Sequence, residues 1–213
     1  KHIMRYPQLF ASQKIKKMLL EKKNKGIIWH TQGSGKTALS FYNVKYLTEF
    51  FQKKNIIPKF YFIVDRLDLM KQANGEFTSR GLKVHLIGSR KDLLADFKKK
   101  QAINNLSGKL EITIVNIQKF KDDKDIIDTN IYNTNTQRIY FLDEVHRSYN
   151  PNGSFLSNLV SFDRDAIMIG LTGTPLIQKD RKTKDIFGNY IHKYFYNQSI
   201  ADGYTLRLIR EDI

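Results

Sequence analysis

The sequence contains no cysteine, which excludes a disulfide scaffold and any cysteine-ligated zinc or iron–sulfur centre. Long apolar runs are missing too. The longest, Phe60-Tyr61-Phe62-Ile63-Val64, is far too short to cross a bilayer. Near the first residue no apolar stretch has the character of a signal-peptide core. There is no internal repeat and no low-complexity tract, and His2, His85 and His192 are scattered without metal-ligand spacing. Acidic residues are scarce, with 21 Asp+Glu against 36 Lys+Arg and a net charge of +15. Ten of those cations are Arg and 26 are Lys. Arginine is the usual choice for stacking and bidentate phosphate recognition, so a lysine-rich excess fits solubility as well as nucleic-acid binding. A cytoplasmic location, with no membrane partner, is the expectation.

What is present suits one basic globular domain. The chain has 213 residues, 41% of them hydrophobic and 12% aromatic, enough for a core and too many for global disorder. It begins at Lys1 and ends just after a strand-like run, as a piece of a longer chain would. Short β-rich apolar runs lie at 27–29, 60–64, 84–87, 112–115, 138–142 and 166–171. Helical spacing is found at 9–21, 36–51, 67–73, 91–101 and 154–160, and loop-like polar stretches at 121–135 and 178–184. Strands alternating with helices, and mostly not alternating in polarity, predict an α/β fold with a mostly parallel sheet and helices on both faces.

His30-Thr31-Gln32-Gly33-Ser34-Gly35-Lys36-Thr37 follows one such strand and precedes a helix, the context a phosphate-binding loop requires. Gly33 and Gly35 let the backbone turn tightly and aim N–H groups at phosphate oxygens. The new helix presents its positive end to the same anion. Lys36 can reach the terminal phosphates and the Thr37 hydroxyl can ligate Mg2+. The general motif begins with glycine where this chain has His30.

A second chemical feature closes the strand at 138–142, which runs into Asp143-Glu144-Val145-His146. Adjacent carboxylates at the carboxyl end of a buried strand share the sheet edge with the phosphate loop. Asp143 can hold Mg2+, directly or through water, and Glu144 can orient or deprotonate the water that attacks the terminal phosphate. A helix N-cap with acidic first-turn residues is the structural alternative.

Taken together, these motifs resemble the first RecA-like motor domain of a superfamily-two helicase or translocase. More narrowly, 29–37, 64–72 and 143–148 resemble the motor and endonuclease (R) subunit of type I restriction enzymes, where a histidine at the position of His30 is usual. Leu171-Thr172-Gly173-Thr174-Pro175 is similar to that family's Thr-Gly-Thr-Pro motif. The resemblance implies a helical lead-in at 1–25, a motor domain at 26–178 and a connector toward a second motor domain at 179–213. It implies adenine recognition by Gln8, nucleotide contacts from Thr31 through Thr37, and coupling through His146. DNA contact or coupling would involve Arg66, Asn116, Gln118, Thr172 and Thr174. ATP and Mg2+ would be the cofactors. The partners would be double-stranded DNA and the modification and specificity subunits of a restriction–modification complex. A nuclease and an arginine finger would lie in other domains, so this chain is expected to bind ATP with little turnover.

Simpler roles remain for several of these residues. Gln8 could be an exposed helix-start residue, Arg66 a helix-start charge, and Thr172 and Thr174 hydroxyl caps of an ordinary turn. Lysines 14, 16, 17, 22, 23 and 25 could be a solvated face. At the level of function, another superfamily-two helicase, a small phosphoryl-transfer kinase and a DNA-binding module with a vestigial loop are the alternatives.

Overall fold

The computed structural model describes residues 3–98, 108–117, 135–145, 163, 165–174 and 187–206. The helix expected at 154–160, both loop-like stretches except Asn135, and the candidates His146 and Gln118 lie outside them. Element order is α1 (Tyr6–Leu20), β1 (Lys25–His30), α2 (Lys36–Gln52), β2 (Ile57–Val64), α3 (Leu67–Ser79), β3 (Lys83–Ile87), α4 (Arg90–Lys98), β4 (Glu111–Asn116), β5 (Thr136–Leu142), β6 (Ile167–Thr172), β7 (Tyr190–Tyr194) and α5 (Tyr196–Ala201). Each strand read from the sequence forms within a residue or three of its expected bounds. Two elements were not foreseen. Residues 190–194, read as connector, are the seventh strand of the sheet, and 196–201 are a short helix.

The sheet order is β3-β4-β2-β5-β6-β1-β7, and all six pairings are parallel. Alternation along the strands explains the unbroken apolar runs. Phe60, Phe62 and Val64 point to one face, where Ala11, Ile15, Leu39, Leu47, Met70 and Phe77 of α1, α2 and α3 cover them. Tyr61 and Ile63 point to the other, with Leu93 and Phe97 of α4. A strand covered on both sides has no polar face to display. Among the described residues no helix is long and apolar enough to cross a membrane.

Strand order also places the chemistry. β5, β6 and β1 are neighbours, so the segments leaving their carboxyl ends emerge side by side at one edge.

Polar groups in the second layer are paired. The Tyr61 and Tyr140 rings stack at 4.9 Å between centroids. Both hydroxyls donate to buried carboxylates, Tyr61 to Asp96 at 2.9 Å and Tyr140 to Asp163 at 3.1 Å. Lys59 sits 2.9 Å from Asp96 and Arg138 3.2 Å from Asp163, all four side chains being buried. Breaking such a pair from one side strands a desolvated charge. Asp96→Ala is therefore expected to lower unfolding free energy by about 3–5 kcal/mol in urea denaturation. A loss under 1 kcal/mol would show that Lys59 is not held by this carboxylate.

Candidate nucleotide-binding site

The phosphate loop begins where β1 ends. Thr31 N–H donates to Tyr194 O of β7 at 3.1 Å. The Ser34 hydroxyl turns back onto Thr31 O at 2.6 Å. Gly33 and Gly35 have φ of 80° and 81°, a region that side chains disfavour, which explains glycine at both positions. Gly35 has a second reason, since a Cβ there would lie 2.5 Å from Gln8 Nε2. The first amides of α2, at Lys36, Thr37 and Ala38, have no partner within the helix and sit at its positive end.

Gln8 is buried, not exposed, with 3% of its surface accessible. Its Nε2 donates to Gly35 O at 3.1 Å and Ser34 O at 3.4 Å, and its Oε1 accepts from Arg5 N–H at 3.0 Å. The glutamine thus braces the loop from α1. The same side chain caps the start of α1 through Arg5, so it is a helix-start residue but not an exposed one.

Lys36 is buried at 9% exposure, an unusual place for an ammonium. Its Nζ lies 3.5 Å from His30 O and 3.8 Å from Glu144 Oε1. Gly173 completes this space: a Cβ there would lie 3.2 Å from Nζ. The role of Gly173 was missed in the sequence, where it reads as a turn glycine between two threonines. The contacts to Lys36 are long and leave the ammonium able to meet a further oxygen, and Thr37 lies half-buried beside it. An anion ringed by loop amides and this ammonium fits the residues present.

Asp143 and Glu144 are pinned between strands. Asp143 N–H donates to Ile63 O at 2.9 Å and Val145 N–H to Leu171 O at 3.1 Å. Glu144 takes a positive φ of 50° while its N–H donates to Asp143 Oδ1 at 3.1 Å. Such backbone strain in a non-glycine residue collects at functional sites. Burial, and then the Glu144 carboxylate, push the Asp143 carboxyl up to about 6, against the opposing pull of Lys36.

The other candidates are dispersed along the same edge. Thr172, wholly buried, closes its own turn: its Oγ1 donates to Thr174 O at 2.8 Å and accepts from Thr174 N–H at 3.3 Å. Arg66 is the exposed N-cap of α3, its Nε 4.0 Å from Asp65. Asn116 ends β4 and is wholly buried, so its side chain presents nothing at the surface.

His30 is buried as well, and its Nε2 meets His192 Nδ1 at 2.7 Å. Burial, then His192 and Lys36, push the His30 imidazole down to about 3, and burial also lowers His192. The lysine cluster occupies the opposite end of the domain. Lys14, Lys17, Lys22, Lys23 and Lys25 line a groove of about 580 Å³ at the amino edge of β1 and β7. There Glu21 pairs with Lys23 at 2.7 Å and Lys17 at 3.9 Å, as on a solvated face.

Comparison with known proteins agrees with this geometry. The SWI2/SNF2 ATPase family model matches residues 7–212. The type I restriction enzyme HindI endonuclease subunit of Haemophilus influenzae is 31% identical over 88% of the chain, which covers 18% of that protein. A type I restriction endonuclease subunit of Staphylococcus aureus is 30% identical over 95% of the chain, covering 21% of it. The chain thus spans about a fifth of these relatives' length. Among solved structures, the DNA-bound Type ISP restriction-modification enzyme LlaBIII aligns over 95% of this chain and 16% of its own, with TM-score 0.65 and 14% identity. The Sulfolobus solfataricus SWI2/SNF2 ATPase core in complex with dsDNA aligns over 88% and 36%, with TM-score 0.55 and 14% identity. At that identity the likeness is one of fold.

The raised Asp143 carboxyl has a consequence for stability. A folded-state value above the ordinary 3.8 costs stability as pH rises through the window from 3.8 to about 6. Asp143→Asn should therefore stabilise the nucleotide-free chain at pH 7.5 by about 1–2 kcal/mol, or roughly 3–6 °C in melting temperature. The gain should vanish below pH 4. Equal melting shifts at both pH values would contradict the burial penalty.

Proposed function

The chain belongs to the SWI2/SNF2 ATPase family, and on that premise we propose that it is the ATP-binding half of a double-stranded-DNA translocase. Its parent would be the restriction subunit of a type I restriction–modification enzyme, with nuclease and second motor domain elsewhere and with modification and specificity subunits as partners. The observation that carries this is the buried Lys36 ammonium between His30 O and Glu144, at the ends of β1 and β5, the two strands that flank β6 in the parallel sheet.

In this role ATP supplies the cleavable phosphoanhydride and Mg2+ the charge that offsets it. Lys36 and the loop amides from Gly33 to Thr37 bind and orient the phosphates. The Thr37 hydroxyl and Asp143 carboxylate hold the metal. Glu144 positions the attacking water and takes its proton. Gln8, whose amide is engaged by Ser34 O, Gly35 O and Arg5 N–H, would read the adenine edge only after releasing the loop carbonyls. His146, Thr172 and Thr174 relay nucleotide state, and Arg66 with Gln118 contacts the duplex backbone. Asn116, being buried, acts by holding the end of β4 rather than by touching DNA.

A small kinase is disfavoured by the placement of Gly173 against Lys36, which gives the Thr-Gly-Thr segment a purpose that a kinase lacks. An arginine finger from another domain adds about 10³–10⁵ in rate to related phosphoryl transfers, so turnover by this chain alone should be slow.

Two measurements test this. Lys36→Ala should weaken Mg2+-dependent binding of a fluorescent ATP analogue on the order of 10–150-fold. Unchanged affinity would mean a vestigial loop, and phosphorylation of a nucleoside monophosphate would mean a kinase. Duplex binding should weaken linearly in log salt. No duplex binding at about 50 mM salt would remove the DNA half of the proposal.

A further inference from the structure

We propose that His192 is a positioning residue for the phosphate loop: a bulge in β7 turns its ring toward β1, where it accepts a hydrogen bond from His30 and fixes the point at which the loop begins. The proposal deepens the nucleotide reading above and rests on it.

The register shows how His192 arrives there. Ile27 lies opposite Tyr190, but Ile28 lies opposite His192, so Ile191 is an extra residue. An unbroken ladder would place Ile191 opposite Ile28 and send His192 to the other face. A single inserted residue reverses every side chain beyond it. With it, His192 shares a face with Ile28 and His30, and Tyr194 lies directly opposite His30. Gly26 makes room for the insertion. A Cβ there would lie 2.8 Å from both Ile191 Cγ2 and Met18 Sδ.

The direction of the bond follows from the rest of the His30 ring. His30 is wholly buried, and its Nδ1 has no hydrogen-bond partner among the described residues. A buried orphan N–H is rarer than a buried orphan acceptor. The proton therefore sits on Nε2, which donates to His192 Nδ1 across 2.7 Å. His192 then carries its own proton on Nε2.

The position of His30 matters because its carbonyl lies 3.5 Å from Lys36 Nζ. The next residue, Thr31, is tied to the same strand through Tyr194 O. His192 thus secures, from an edge strand, one wall of the space that holds the ammonium.

The test uses two substitutions in the 213-residue chain and the fluorescent ATP analogue. Asparagine keeps an acceptor near the Nδ1 position, and leucine keeps the bulk without one. His192→Leu should weaken nucleotide binding about tenfold. His192→Asn should stay within about twofold of the parent, since the bond's acceptor is retained. A packing role predicts the reverse order, with leucine as good as histidine or better, and that result would overturn the proposal. So would equal affinities for all three proteins. Nitrogen NMR of the unsubstituted chain reads the same bond if the leucine variant fails to fold. Both rings should appear as Nε2–H tautomers, and a proton on His30 Nδ1 would overturn the assignment. A parent chain that binds no nucleotide sinks both this proposal and the ATPase role; one that binds and ignores His192 sinks only this one.

Discussion

The structure depends on keeping a lysine ammonium out of water without leaving it unpaired. Burying an isolated ammonium is costly enough that a protein either neutralises it or surrounds it with oxygen. Here a carbonyl at 3.5 Å and a carboxylate oxygen at 3.8 Å do so, and a glycine leaves the space. The carbonyl ends β1, the carboxylate follows β5, and the glycine follows β6. Only a sheet in which those strands are adjacent and parallel brings the three together. Strand order is thus what brings the parts of the site together. The unfavourable φ of Glu144 fits this view, because strain of that kind persists only where the surroundings over-determine it.

Much of this was legible beforehand. The loop from His30 to Thr37, the acidic pair and the Thr-Gly-Thr segment each carry a mechanism in their residue types, and the strands are the short unbroken apolar runs that a buried parallel sheet needs. What was hidden has physical reasons. β7 reads Tyr-Ile-His-Lys-Tyr, a mixed edge strand with neither an apolar run nor clean alternation, because its bulge breaks the period. Gly173 looked like a turn former, and its use as empty space beside Lys36 depends on an element over a hundred residues away. Gln8 was read as an adenine contact, with an exposed helix-start residue as the simpler role, and its bonds to the loop carbonyls depend on a segment 26 and 27 residues away. The ion pairs of Lys59 and Arg138 were invisible because strand-borne charges usually face solvent, and their carboxylate partners come from distant segments.

The charge excess divides by position. Lys59 and Arg138 are buried and committed to pairs, while Lys14, Lys17, Lys22 and Lys23 are exposed at the edge opposite the phosphate loop. One glutamate there already engages two of them. Among the described residues, these four lysines of the +15 excess therefore stand away from the nucleotide edge. Long-range attraction of a polyanion follows the summed field, but grip follows the few cations at the surface it meets. Arg66 is an exposed cation at the same edge as the loop, 4.0 Å from Asp65.

Asp202 gives the loop its second anchorage. The hydroxyls of Tyr6 and Tyr194 both donate to this one carboxylate, which their bonds hold below the usual aspartate range. Tyr6 begins α1, whose Gln8 braces the loop at Ser34 and Gly35, and Tyr194 ends β7, whose carbonyl receives Thr31. Two lines of hydrogen bonds therefore run from the segment after α5 to opposite ends of the phosphate loop. Neither line passes through the central strands. Both anchors sit on elements that also join the packed body, since α1 gives Ala11 and Ile15 to the core and β7 pairs with β1.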